Sequence, residues 1–282
     1  MKTIVTHLNP DLDAIFAIWL IKRFFPGWSQ AGVEFVPAGK TLTGKLVDDD
    51  PEIFHVDTGL GRFDHHQTKK FICASDLVWQ EILKENTKLK DWQKKAIERI
   101  LVVVREIDHA RFLAWPQPDS DRWDFSLYQI FGGLVSCLKD DQKKILEICL
   151  PLIDSLFKIF GEKIEAEEIL KNGLRFKTKW GRGIALETDN SEATYLALKK
   201  GYAIVVRKKR KTGHLGIYGN WINGVNLYKV YLALKKKDSG ADWFYHKSGC
   251  LVLNGSTSNP EMKPTKLGLK EAIKILNFKF EI

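Results

Sequence analysis

Apolar and polar positions along the first sixty residues fall into the order strand, helix, strand. Thr3-Ile4-Val5-Thr6-His7 is a short apolar run of strand type, followed by Asn9-Pro10, an N-cap with proline at the first helical position. Residues 11–25 then predict a helix that is apolar nearly all round, through Ile15, Phe16, Ile18, Trp19, Leu20 and Ile21, and a helix of that kind is buried. Pro26-Gly27 ends it, and further strands are predicted over 33–37 and 52–57. This alternation implies a parallel sheet with functional groups gathered at the carboxyl ends of its strands. Helical spacing returns over 77–83 and 92–107, where the run Val102-Val103-Val104-Arg105-Glu106-Ile107 leads into Asp108-His109. A carboxylate after so apolar a ridge calls for a partner. A loop containing Pro116 and Pro118 precedes helices predicted over 126–138, 140–160 and 162–172.

The pattern then changes. Strands are predicted over 184–188 and 202–207, with Ser191-Glu192 opening a short helix between them. A basic hairpin over 208–220, a helix over 227–237, a hairpin over 243–253 and a last helix over 265–276 complete the chain. The expected fold class is therefore α/β: an amino-terminal parallel-sheet domain over 1–160, a linker helix over 161–175, and a smaller α+β domain over 176–282.

Composition narrows the class only modestly. With 282 residues, 44% of them hydrophobic and 28% charged, the chain is globular. No apolar run approaches the roughly eighteen residues of a membrane span, and the amino terminus lacks the apolar core of a signal peptide. Cys73, Cys137, Cys149 and Cys250 show no CxxC spacing, which is the usage of reduced thiols in a cytoplasmic protein. The formal charge of +9 suits a polyanionic partner, and equally suits an ordinary basic protein.

Candidate chemistry concentrates in Phe54-His55-Val56-Asp57-Thr58-Gly59-Leu60-Gly61-Arg62-Phe63-Asp64-His65-His66-Gln67. Here oxygen and nitrogen ligands crowd the mouth of an apolar strand, a costly arrangement unless a cation sits among them. Taken alone, Asp-His-His is also the composition of a solvated turn, so the chemistry depends on partners elsewhere. His7 at the end of the first strand, with Asp11 and Asp13 in the first turn of the helix, occupies a place where the dipole favours carboxylates. Residues two apart on a helix point to different sides, so this pair suits two adjacent cations better than one.

In order, THLNPDLDA, FHVDTG, DHHQ and EIDHA resemble four motifs of the DHH phosphoesterase superfamily, which includes RecJ-type nucleases, small-oligonucleotide and cyclic-dinucleotide phosphodiesterases and family II pyrophosphatases. The resemblance covers about residues 1–160, and the short gap before DHHQ looks most like the MYG-type exonuclease branch. It implies a two-metal phosphodiesterase in which His7, Asp11 and Asp57 hold one Mn²⁺ while Asp13, Asp57, His65 and Asp108 hold the other. Asp57 would bridge, His66 would face the substrate phosphate, and Asp64 would orient the neighbouring histidine ring; Asp57, His65, His66 and Asp108 form the implied catalytic set. Mixed carboxylate and imidazole ligands fit Mn²⁺ and leave Mg²⁺, Co²⁺ and Zn²⁺ open.

Many members of that superfamily carry a second domain with a Gly-Gly-Gly-His loop, to which this chain offers only Thr212-Gly213-His214-Leu215-Gly216, after Arg207-Lys208-Lys209-Arg210-Lys211. Substrate contacts are accordingly expected from Lys208, Lys209, Gly213 and His214, and from Arg62 and Arg111 beside the motifs, with Lys40 and His109 as further phosphate candidates. Trp243-Phe244-Tyr245-His246 offers rings for base stacking or for a core, and Asn254-Gly255-Ser256-Thr257-Ser258 reads as a polar turn. The expected activity is exonucleolytic, on single-stranded RNA or DNA or on short oligonucleotides. Hydrolysis of a cyclic dinucleotide, nucleotide or pyrophosphate is the alternative, and a catalytically silent nucleic-acid-binding protein is the third reading. No membrane partner is expected, and the oligomeric state, homodimer included, stays open.

Overall fold

Strand β1 (Thr3–His7) lies at the centre of a three-stranded parallel sheet in the order β2-β1-β3, with helix α1 (Leu12–Phe24) connecting it to β2 (Gly32–Val36) and with β3 at Ile53–His55. The computed structural model describes residues 1–139 and 141–277, and the chain divides into two units, Met1–Gly161 and Glu162–Ile282. In the first unit the apolar face of α1 is covered all round, with Ile15, Ile18, Leu20 and Ile21 fully buried. Helices α2 (Ala74–Glu85) and α3 (Asp91–Asp108) follow, then α4 (Leu127–Leu138) and the long α5 (Gln142–Lys171).

Three local details differ from the sequence reading. Helix α1 is capped by Asp11, whose side chain accepts from the Ala14 N–H at 3.0 Å, and not by Asn9, which sits at φ +52°. The carboxylate is the stronger acceptor, so the helix starts two residues later and Pro10 stays outside it. The helices expected over 140–160 and 162–172 are one: α5 runs through Pro151 and Gly161. A Cβ at Gly161 would stand 2.9 Å from the ring of Trp92, so that glycine serves a close helix contact and does not end the helix. Finally, Leu174–Thr178 forms a strand, β4, where the linker was expected to finish.

The second unit is a six-stranded sheet in the order β4-β5-β6-β7-β9-β8, with β5 at Gly181–Glu187, β6 at Ile204–Lys208, β7 at Leu215–Gly219, β8 at Phe244–Tyr245 and β9 at Leu251–Leu253. Only the β5–β6 pair is parallel, because helix α6 (Glu192–Lys199) connects them in a crossover. Side chains alternate across the sheet. Ile184, Leu186 and Val205 pack with α6 and with Ala166 and Leu170. Ala185, Ile204, Val206 and Ile217 pack on the other face with α7 (Tyr228–Lys237) and α8 (Leu269–Leu276). The result is a mixed α/β fold. Among the described residues, no helix is long and apolar enough to cross a membrane.

Strand β3 is held by an aromatic stack that also anchors the turn after it: Phe54 lies face to face with Trp28 at 3.5 Å and edge-on to Phe63 at 5.3 Å. Replacing Phe54 by alanine is expected to cost about 3–5 kcal/mol, read as a lower midpoint in urea unfolding followed by circular dichroism.

Candidate metal centre

Parallel pairing places the carboxyl ends of β1 and β3 side by side, and each end carries a site residue. His7 closes β1, and Asp57 follows β3 by two residues. Asp57 adopts φ +54°, a left-handed conformation that is unusual outside glycine, and its N–H donates to the Phe63 carbonyl at 2.9 Å. That hydrogen bond folds residues 57–64 back on themselves. Gly61 permits the fold, since a Cβ there would stand 2.3 Å from Val47 Cγ2. The turn thereby brings Asp64, His65 and His66 up to Asp57.

The buried carboxylate of Asp57 lies between two elements. Its Oδ2 is 3.2 Å from His7 Nε2, and its Oδ1 is 3.4 Å from His65 Nε2 and 3.7 Å from His66 Nδ1. Asp108, the last residue of α3, places Oδ2 3.6 Å from His65 Nε2. Asp11, capping α1, joins His7 and Asp57 in one group whose ligand atoms lie within 4.8 Å of one another. Two more such groups exist among the described residues: Asp57 with His65 and His66, and His65 with Asp108 and His109. Asp57 and His65 each belong to two groups, so the three form a continuous row.

Asp64 is buried and accepts from the Leu60 N–H at 2.8 Å and the His66 N–H at 3.0 Å, while its Oδ1 lies 2.7 Å from His66 Nδ1. It therefore orients the His66 ring, whose side chain is 59% exposed. Asp13 stands apart from the row. Its two oxygens accept from the Ala74 and Ser75 N–H groups at 2.7 and 2.9 Å, capping the start of α2, and this backbone demand explains why it is absent from all three groups. His109, read from the sequence as a phosphate contact, instead stands beside Asp108 at 3.6 Å with Nε2 also 2.9 Å from the Ile72 carbonyl. The only signal for it was adjacency to Asp108. His55 accepts from the Leu42 N–H at 3.0 Å and belongs to none of the groups.

The remaining expected contacts are distributed as follows. Arg62 lies 3.7 Å from Asp48 and stacks over Phe54 and Phe63, and Arg111 lies 3.6 Å over the Phe71 ring. In the second unit, Lys208 donates to the Leu267 carbonyl at 2.7 Å. Gly213, at φ +72°, makes the turn between β6 and β7, with its N–H on the Lys209 carbonyl. His214 is buried, with Nε2 3.0 Å from the Met262 carbonyl and its ring against Gly255. Arg207 is buried too, leaving Lys209 half-buried and Arg210 and Lys211 exposed. Trp243 is core, and Asn254 is a buried tie accepting from Thr265 N–H at 2.6 Å.

Electrostatics mark the row as a place for positive charge. Burial, then repulsion from Asp57 and Asp11, pushes Asp13 up to about 8. Burial likewise raises Asp108 to about 6, with Asp11 and Asp57 adding to it against the pull of His65. Burial opposes ionisation of Asp57, but the neighbouring His65 and His7 rings hold its carboxyl well below the usual range. In return His65 is raised to about 9 chiefly by Asp57, while for His7 burial is the largest single influence and lowers it, yet Asp57, the Leu8 carbonyl and Asp11 together raise it to about 9. Asp57 Oδ1, His65 Nε2 and Asp108 Oδ2 are all buried without a hydrogen-bond partner. The three orphaned atoms are of mixed O and N type, with His65 Nε2 3.4 Å from Asp57 Oδ1 and 3.6 Å from Asp108 Oδ2, and donors of that kind suit a divalent cation.

No protein-family model and no curated protein matches the sequence. Solved structures align with it at low similarity. An uncharacterized protein from Helicobacter pylori is 10% identical, with 91% of this chain and 93% of that one covered and a TM-score of 0.24. The DHH domain of a member of the s1p family of ribosomal proteins is 12% identical over 98% of this chain and 85% of that one, at a TM-score of 0.33. RecJ from Thermus thermophilus, in complex with Mg²⁺, is 9% identical over 91% of this chain and 47% of that one, at a TM-score of 0.30.

Metal binding must displace the protons that now occupy the row. Titrating the protein with Mn²⁺ is expected to release protons, and apparent affinity is expected to rise as pH goes from about 6 to about 9, the range set by Asp108 and the two histidines. Calorimetry in buffers of different ionisation enthalpy measures both; affinity independent of pH over that range contradicts the assignment.

Proposed function

We propose that the protein is a two-metal phosphodiesterase acting on single-stranded nucleic acid or short oligonucleotides. The observation that carries this reading is Asp57, whose two oxygens face different neighbours, His7 on one side and His65 with His66 on the other. A carboxylate so placed would be shared by two cations. His7, Asp11 and Asp57 would hold one, and Asp57, His65 and Asp108, joined through His65, would hold the second, with Asp13 contributing lone pairs left over after its two N–H bonds. Two divalent cations supply Lewis acidity for an attacking water and neutralise charge building on the phosphoryl oxygens. Mn²⁺ is the ion proposed, with Mg²⁺ and Co²⁺ as competitors for the same donors.

The side chains do the positioning. Asp64 holds His66 by Nδ1, leaving the outer part of an exposed ring for a phosphoryl oxygen. Among the basic residues of the second unit, Lys209, Arg210 and Lys211 are the phosphate contacts proposed, together with the donors that Lys208 retains beside its bond to Leu267. Gly213 shapes that turn, and His214 supports it from within. The surplus of nine positive charges favours a polyanion over a small phosphate. Four free cysteines accord with a reducing, cytoplasmic setting.

Asp57→Asn is expected to lower turnover by at least about 10²-fold, measured with Mn²⁺ on a labelled single strand; wild-type turnover in that variant sinks the metal assignment. Lys209→Ala and Lys211→Ala should weaken binding and each reduce the slope of log affinity against log salt by about 1. Assay of single strands beside cyclic dinucleotides and pyrophosphate decides the substrate class. Activity confined to the small compounds rejects the nucleic-acid reading.

A further inference from the structure

The chain just beyond α3 exposes a dense set of aromatic rings that folding alone does not explain. Phe112, Trp115, Trp123 and Tyr128 are each half-buried, while Leu113 and Phe125 are 66% and 86% exposed. The rings are contiguous: Phe112 lies 6.5 Å from Trp115 and 5.4 Å from Tyr128, and Trp115 lies 4.9 Å from Trp123. Two single-turn 3-10 helices, Arg111–Ala114 and Asp121–Trp123, set their positions. The Trp123 indole N–H donates to the carbonyls of Pro116 and Gln117 at 3.2 and 3.0 Å, and that of Trp115 to Glu106 Oε2 at 2.9 Å. Both indoles are thus fastened by their polar edges, and what remains available to a ligand is apolar ring surface.

This surface begins where the metal centre ends. Glu106, which fastens Trp115, lies two residues before Asp108 in α3. On the same turn the His109 ring stands 5.9 Å from His65 and 4.8 Å from Phe71, over which Arg111 is stacked. The segment's own charge nearly cancels, Arg111 and Arg122 against Asp119, Asp121 and Asp124. Attraction for phosphate is therefore not what it offers. An exposed apolar patch of this kind marks a binding surface, and flat, edge-anchored rings match the faces of nucleobases.

We infer that residues 112–128 form a stacking platform for the bases of the substrate strand while the scissile phosphate lies at the metal centre. The inference rests on the phosphodiesterase reading and narrows it: the substrate carries bases, and those bases contribute affinity without sequence choice, since every base has a ring face.

The test uses the full chain with Mn²⁺ and two strands of equal length, an oligoadenylate and an abasic deoxyribose-phosphate oligomer. The wild type should prefer oligoadenylate in kcat/KM and in affinity by fluorescence anisotropy. Trp115→Ala, Trp123→Ala and Phe125→Ala should each reduce that preference, by about tenfold for the indoles, without altering the salt slope of binding. Trp115→Phe and Trp123→Phe should retain most of it. Phe125→Ala, at a site open to solvent, guards against variants that merely fail to fold. An equal preference in wild type and all three alanine variants overturns the inference, as does a shift of those variants from oligomer to monomer in sedimentation with preference intact, which makes the patch a subunit interface. If the wild type hydrolyses neither strand, the phosphodiesterase reading falls by itself; stacking is then judged on binding, and equal affinity for the two strands rejects it.

Discussion

The structure of the first unit depends on a concentration of negative charge whose close ion-pair partners, among the described residues, are histidines. Asp13, Asp57 and Asp64 are buried, and Asp108 is nearly so, around the ends of two neighbouring strands. Asp64 is satisfied by backbone N–H groups and His66, and Asp13 by the start of α2. Asp57 Oδ1 and Asp108 Oδ2 are not, and they share His65 between them. Burying carboxylates this close to one another costs several kcal/mol unless positive charge arrives. Protons on His7 and His65 supply part of it, which is why both histidines hold protons well above their ordinary range while Asp57 stays ionised. Cations would do the same with greater charge and at the orphaned atoms themselves.

The scaffold produces this crowding by simple means. A parallel sheet sends every strand end to the same edge, and helices that follow those strands begin there, so His7, Asp11 and Asp57 meet without any long side chain reaching across. The turn from Asp57 to Asp64 adds the imidazoles, at the expense of a left-handed aspartate whose backbone is held by Phe63. Phe63 in turn is packed on Phe54, and Phe54 on Trp28. Strain at the site is thus opposed by aromatic packing directly behind it. The same logic explains Asp13, which faces a different way from the capping Asp11 because it lies two positions further on, and which locks α2 against α1 through two N–H bonds.

Positions at a strand or helix end were legible before the structure. His7 was singled out because it ends a strand of a parallel sheet and Asp57 and Asp108 because each is a carboxylate closing an apolar run, while a shared metal role for them came from the motif resemblance. Roles that depend on a distant backbone group were not legible. Nothing local announces that Asp13 caps a helix sixty-one residues away, or that the Lys208 ammonium meets the Leu267 carbonyl. His214 looked like a residue set in an open glycine turn, yet tertiary packing buries it against Gly255 and Met262. Gly161 illustrates the limit from the other side: glycine reads as a helix stop in sequence, while here it makes room for Trp92 within α5.

On the proposed reading the protein separates two kinds of binding that are often merged. Cations and basic side chains act on phosphate, which every nucleotide carries, and their grip weakens with salt. Ring faces act on bases, and their grip does not involve counterions. Neither reads sequence. A catalyst assembled from these two parts accepts any single strand that threads a phosphate to the row of Asp57, His65 and Asp108, whatever its bases, and discriminates instead by strandedness, because paired bases have no free faces to offer. The near-cancelling charge of the aromatic segment then has a physical sense. A strongly basic platform would hold phosphates away from the cations, whereas a neutral one leaves the metal centre as the place where the chain of phosphates gains most.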